Sequence, residues 1–140
     1  MERIFNYQYT IHYDTVDWFH FTKYNEYVDE TCYYYRVMSR LPDVIRKLKK
    51  DEYSRQALIV CNNNVNNACL ISIQFQIDNN NLIVTANFRS QDQKLGRPYD
   101  TDMLKYFSTK VMRRLELNMF TIYVNVANLH ERTEENPTGY

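Results

Sequence analysis

Five short strand-like runs set around one long run with helical spacing predict an α+β domain, with one mostly antiparallel sheet covered by a long helix. Two observations weigh most. The runs 69–77 and 82–88 flank an Asp-Asn-Asn-Asn link, and Leu104, Phe107, Val111 and Leu115 fall on one helical stripe. The 140 residues fit one domain with a real core, placed at 1–130 and followed by a polar tail at 131–140.

Residues 6–13 put Tyr7, Tyr9, Ile11 and Tyr13 on one face, the period of a half-buried strand. From Thr15 to about Arg40 the pattern turns helical, and Pro42 is expected to start a second helix to about Lys50. Arg46, Lys47, Lys49 and Lys50 then read as its solvated C-terminal end. Gln56–Cys61 is a compact apolar strand in which Leu58 and Val60 alternate with Ala57 and Ile59, as in a strand covered on both faces. An Asn-rich loop follows at 62–67, then the hairpin, whose Asn and Asp side chains bond local backbone in turns. The long helix is expected over Thr101–Leu117, with Asp100 as its cap, and the last strand over Phe120–Ala127.

Composition narrows the function. Seventeen basic residues offset seventeen acidic ones, so the counterion-displacing charge of a duplex-binding protein is missing and nucleic acid is an unlikely partner. No apolar run approaches the roughly 20 residues that span a bilayer, so no membrane partner is expected. Cys32, Cys61 and Cys69 form no CxxC pair, and the first residues alternate rather than form a leader, which points to a cytoplasmic protein. His12 and His20 lack partners at ligand spacing, so no metal is expected. Trp18, Phe19, Phe21 and Tyr24 fit either a stacking platform or a helix that buries its aromatics.

The informative stretch is the loop from Phe88 to Asp100. It sets the guanidinium of Arg89, the hydroxyl of Ser90 and the carboxylate of Asp92 at a strand end, ahead of a Gly96-x-Pro98 turn. Arginine suits bidentate capture of a phosphate, and serine adds a further hydrogen bond. The plain alternative is an ordinary loop leading into a capped helix.

Arg89-Ser90-x-Asp92-x-x-x-Gly96-x-Pro98-Tyr99-Asp100 resembles the signature R-S-x-D-x-x-x-G-x-P-F-N of the thymidylate synthase superfamily. Cys69 stands twenty positions before Arg89, as the family's nucleophile does, and Gln74-Phe75 matches the Gln-Phe after it. His130 stands thirty positions after Asp100, at the place of a ribose-binding His. Asp51-x-x-Ser54-Arg55 resembles an upstream segment, so the match spans residues 50–132, with a shortened Asn-rich loop.

The resemblance implies a reduced thymidylate synthase-like fold and a set of roles. Arg89 and Ser90 would hold a nucleotide 5′-phosphate, and Arg55 would reach the phosphate of a neighbouring subunit in a homodimer. Asp100, with Gln74 beside it, would face the pyrimidine edge, His130 the ribose, and Asp92 the folate side. Cys69 would be the nucleophile at pyrimidine C6, or else a small core residue.

Departures shape the functional expectation. Leu70, Gln56 and Arg132 stand where the family has His, Arg and Tyr. The place of the catalytic Glu falls before residue 1, only ten residues follow His130, and nothing sets Glu26, Glu30 or Glu52 in the missing role. Asp100 replaces Asn, as in the related deoxycytidylate hydroxymethylases, and a carboxylate accepts from the cytosine amino group. The expectation is a pyrimidine-nucleotide-binding protein, non-catalytic, that sequesters, senses or inhibits. One alternative is a methylase or hydroxymethylase favouring dCMP over dUMP, which would need tetrahydrofolate and a partner protein to complete the site. The other is an interaction module that has lost its ligand.

Overall fold

A computed structural model describes residues 3–18, 31–62 and 68–131, apart from the side chains at 31 and 32. The expected tail, most of the Asn-rich loop, Arg132, Glu26, Glu30, His20 and the aromatic run from Phe19 lie outside these residues. The elements in chain order are β1 (Ile4–His12), a π-helical turn (Thr31–Tyr35), α1 (Arg36–Lys50), β2 (Leu58–Val60), β3 (Leu70–Asp78), β4 (Asn81–Phe88), β5 (Gln91–Asp92), α2 (Gly96–Arg114) and β6 (Met119–His130).

The strands form one six-stranded sheet in the order β1-β6-β4-β3-β2, with β5 also on β6. The pairs β1–β6, β3–β4 and β2–β3 are antiparallel, and β4 and β5 run parallel to β6. The expected hairpin is present, and Asn79 takes the left-handed conformation at its turn (φ 55°). The parallel pair is the unforeseen part. Parallel neighbours need a crossover, and α2 supplies it.

One face of the sheet carries both helices. Ile73 and Phe75 on β3, Leu82, Val84 and Phe88 on β4, and Phe120 and Ile122 on β6 are buried there against Met103, Leu104, Phe107 and Val111 of α2. Each such side chain contributes about 1.5–3 kcal/mol relative to exposure. The other face is open. It shows Leu58, Val60, Met119 and Tyr123, and an amide chain in which Asn125 Nδ2 donates to Asn87 Oδ1 (3.1 Å) and Asn87 Nδ2 to Ser72 Oγ (3.3 Å). Among the described residues, the strand is therefore covered on one face, where Ala57 and Ile59 lie buried, and not on both.

Three boundaries differ from expectation. Residues 15–18 are not helical, and Trp18 is exposed. Pro42 does not start a helix but lies inside α1. The stripe Val37, Leu41, Val44, Ile45 and Leu48 runs through it, and burial of these five outweighs a proline cost of about 3 kcal/mol. Finally, α2 starts at Gly96, with Pro98 in its first turn, where no amide donor is needed. Asp100 is consequently inside the helix and caps nothing.

At its other end α2 closes with Leu117 N–H donating to Met112 O (2.9 Å) and Glu116 N–H to Arg113 O (3.1 Å). Glu116 holds φ 57° at the place where glycine is usual. Pro42→Ala should stabilise the protein by about 1–3 kcal/mol, the restored helix hydrogen bond outweighing the freer unfolded chain. A urea midpoint that stays or falls would show that α1 is broken at this point in solution.

Candidate functional site

The site grows from a gap in the parallel ladder. Phe88 pairs with Val126 and Gln91 with Leu129, so β5 continues β4 in the same register along β6. Arg89 and Ser90 fall in the interruption between them. The amide of Arg89 turns to the other neighbour and donates to Cys69 O (2.8 Å). Cys69 and Arg89, twenty apart in sequence, thus lie side by side at one end of the sheet. Leu70, next to Cys69, is fully buried in the core, and its backbone N–H donates to the Tyr33 hydroxyl (3.2 Å).

Ser90 and His130 are both buried, and Ser90 Oγ lies 3.3 Å from His130 Nδ1. The carbonyl of His130 accepts from Gln93 N–H (2.7 Å), which ties the end of β6 to the signature loop. Asp92, fully buried, accepts from the amides of Lys94 and Leu95 through Oδ1 (2.9 and 3.0 Å), so it shapes the turn into α2. Gln93 Oε1 and Asn128 Oδ1 are buried at this end without a hydrogen-bond partner among the described residues.

Asp100 sits one turn into α2 with its side chain buried under β5. Gln91 Nε2 donates to its Oδ2 (3.1 Å), and the Tyr9 hydroxyl of β1 donates to Gln91 Oε1 (3.1 Å). Arg97 lies 4.0 Å over the Tyr9 ring and 5.5 Å over that of Tyr7. Burial raises the Asp100 carboxyl from its usual 3.8 to about 7, with the Gln91 hydrogen bond pulling the other way. Burial likewise raises the Tyr9 phenol above its usual value.

The structure therefore brings together Cys69, Arg89, Ser90, Asp92, Asp100 and His130. It does not bring Gln74 or Arg55 to them. Gln74 points to the open face, opposite Leu58, and donates to Arg55 O (2.9 Å). That is five residues along β3 from Cys69, on the order of 17 Å at the strand rise. Glu52 lines a groove with Asn79 and Asn80 at the far, hairpin end. Sequence reasoning missed Tyr9, Gln91 and Arg97. Gln91 fills the variable place of the signature, and Tyr9 lies 82 residues away.

Among the described residues no cluster of His, Cys, Asp or Glu is arranged to hold a metal ion. No helix among them is long and apolar enough to cross a membrane.

Folded Asp100 keeps its proton up to about 7, whereas the unfolded chain gives it up near 3.8. The folded state therefore binds the extra proton between these values, and stability falls as pH rises through that window. Asp100→Asn should flatten this slope in denaturant midpoints taken from about pH 4 to about pH 8. An unchanged slope in the variant would show that Asp100 is not the buried acid.

The family model of thymidylate synthase matches residues 9–133. No curated protein sequence matches. Among solved structures, thymidylate synthase from T4 phage is similar with 21% identity and a TM-score of 0.63, over 68% of this chain and 35% of that one. This chain thus spans about a third of the length of that enzyme, and the structural likeness speaks for the fold. The family match over nearly all of the described sheet, with Cys69, Arg89, Ser90 and His130 drawn to one end of it, places this chain in the thymidylate synthase family.

Proposed function

We propose that the chain binds a pyrimidine nucleotide at the gap between β4 and β5 and acts by holding it, in a sequestering, sensing or inhibitory role. One observation carries this reading: Arg89, Ser90 and His130 meet at the interruption of the parallel ladder, with buried Asp100 bonded to Gln91, the next residue along. Arg89 and Ser90 supply a guanidinium and a hydroxyl to a 5′-phosphate. His130, steadied by Ser90, faces the sugar, and Asp100 reads the polar edge of the base. Asp92 stays at the folate side in this scheme, although its Oδ1 already serves two amides.

A binding role also fits the surroundings of Cys69. The next residue, Leu70, is a core aliphatic with no proton to give or take. A positioned acid or base is worth roughly 10²–10⁴-fold in such chemistry. The catalytic reading, a dCMP methylase or hydroxymethylase working with tetrahydrofolate and a partner protein, is favoured by the backbone bond between Cys69 and Arg89. Calorimetry with dCMP and dUMP, followed by an assay with a methylene-folate donor, separates the two. Binding without turnover supports holding, and turnover supports catalysis. Failure to bind either nucleotide overturns both.

The same reading includes a homodimer through the open sheet face, where Leu58, Val60, Met119 and Tyr123 are exposed. Arg55, remote from the site of its own chain, would serve the partner's phosphate from there. Light scattering at micromolar concentration should give twice the mass of 17.0 kDa. A monomer would count against both the dimer and the role of Arg55.

Arg89→Ala should weaken nucleotide affinity roughly ten- to hundredfold, the loss of a charge-assisted contact of about 1.5–3 kcal/mol. Equal affinity in a folded variant would show that phosphate is held elsewhere. A cytosine nucleotide should bind about tenfold better than its uracil counterpart, because a mismatched buried polar pair costs about 1–3 kcal/mol. Asp100→Asn should narrow or reverse that ratio. If both proteins bind both nucleotides equally, Asp100 does not read the base.

A further inference from the structure

A carboxyl group is nearly symmetric, so Asp100 alone does not settle which pyrimidine it accepts. Its neutral form pairs with cytosine by donating to N3 and accepting from the amino group. Turned over, or with the proton on its other oxygen, it pairs with uracil by accepting from N3–H and donating to O4. Discrimination needs something that makes the two oxygens different. The contacts above Asp100 do this. Gln91 Nε2 donates to Oδ2 and so marks it as an acceptor, which leaves Oδ1 as the oxygen able to carry a proton.

Gln91 is itself fixed. An amide could present either its NH2 or its carbonyl to Asp100, but the Tyr9 hydroxyl donates to Gln91 Oε1. The Tyr9 ring in turn is held under the Arg97 guanidinium at 4.0 Å. Donors therefore run in one direction, from Tyr9 to Gln91 to Asp100. Gln91 and Asp100 are both buried, so water does not scramble the order.

We propose that Gln91, oriented by Tyr9, is a positioning residue that determines which pyrimidine Asp100 accepts. The proposal rests on the nucleotide-binding reading and names what sets its specificity. The resulting contact ties ligand choice to β1, the edge strand of the sheet.

Among the described residues, the charged and titratable groups around Asp100 are few. Tyr9 faces it from β1 through Gln91, and Arg97 lies one turn back on α2 over the Tyr9 ring. Asp92 on β5 is turned to the amides of Lys94 and Leu95, and His130 on β6 to Ser90. The raised value of the Asp100 carboxyl agrees with a neutral form that is well populated near neutral pH.

The test uses the full chain, with Tyr9→Phe and Gln91→Leu as variants. Tyr9→Phe removes one hydroxyl and keeps the ring under Arg97, and an amide NMR spectrum checks that the fold is intact. Two quantities are read: the titration midpoint of the Asp100 carboxyl by 13C NMR without ligand, and the ratio of dCMP to dUMP affinities. In Gln91→Leu the carboxylate loses its donor, and in Tyr9→Phe the amide is free to turn its carbonyl to Asp100. Both variants should titrate at higher pH than wild type. The affinity ratio should fall from about tenfold to within about twofold. A merely structural contact would lower both affinities equally and leave the ratio alone, which overturns the proposal. An unmoved midpoint in folded Tyr9→Phe overturns the orienting role of Tyr9. If neither nucleotide binds the wild type, the nucleotide reading fails and takes the specificity role with it, while the midpoints still show whether Gln91 orients Asp100.

Discussion

The parallel pairing of β4 with β6, interrupted at Arg89 and Ser90 without a change of register, is the constraint on which the rest depends. Parallel neighbours cannot be joined by a tight turn, so the chain must leave the sheet and return. That excursion is α2, and it lays the long apolar side of the helix over the sheet. Because the register survives the gap, β5 locks onto β6 beyond it, and the start of α2 is fixed relative to the end of β6. A slipped register would invert every side chain past the gap and separate Ser90 from His130. The missing ladder bonds are recovered locally, since the Arg89 amide takes the carbonyl of Cys69. In this way the irregularity that weakens the sheet also assembles the side chains of the site.

The second consequence is one-sidedness. With both helices on one face, the other is covered by nothing among the described residues. The strands answer by placing Ser72, Asn87 and Asn125 in a bonded row across three neighbours. Amide rows hold strands together without demanding burial, yet they also fit against another polar, flat surface. The exposed Leu58, Val60, Met119 and Tyr123 around them give that surface an apolar component. Such a face suits a second sheet better than bulk water, which is why the dimer belongs to the proposed function.

Much of this fold was legible in the sequence because period-2 and helical patterns are local. The hairpin of β3 and β4, the stripe on α2 and the strand of β6 all follow from residues within one window. The parallel order was not legible, since no local pattern says which strands will become neighbours. Pro42 misled because its local cost was read without the five buried residues that outweigh it. Asp100 misled in the same way, because an Asp after a Gly-x-Pro turn looks like a cap until the earlier start of the helix buries it. The signature residues Arg89, Ser90 and His130 were legible through their spacing. Tyr9 and Gln91 were not, because their meeting depends on β1 joining the far edge of the sheet.

Asp100 remains the residue that structure alone justifies least. A carboxyl inside a helix and almost fully buried is held by one hydrogen bond against a desolvation that raises it to about 7. A chain selected only for stability would replace it with Asn, which accepts the same bond from Gln91 without an ionisable group, or with an aliphatic residue. The neighbourhood does the reverse. Arg97, Tyr9 and Gln91 are all committed to holding the acid in place, and none of them neutralises it by a direct ion pair. Local rules of folding are broken most often where a site needs a group in a costly state. The family's signature carries an amide at this position, and under the proposed nucleotide-binding reading the acid and the row of donors behind it would act together, as one device for reading the edge of a base.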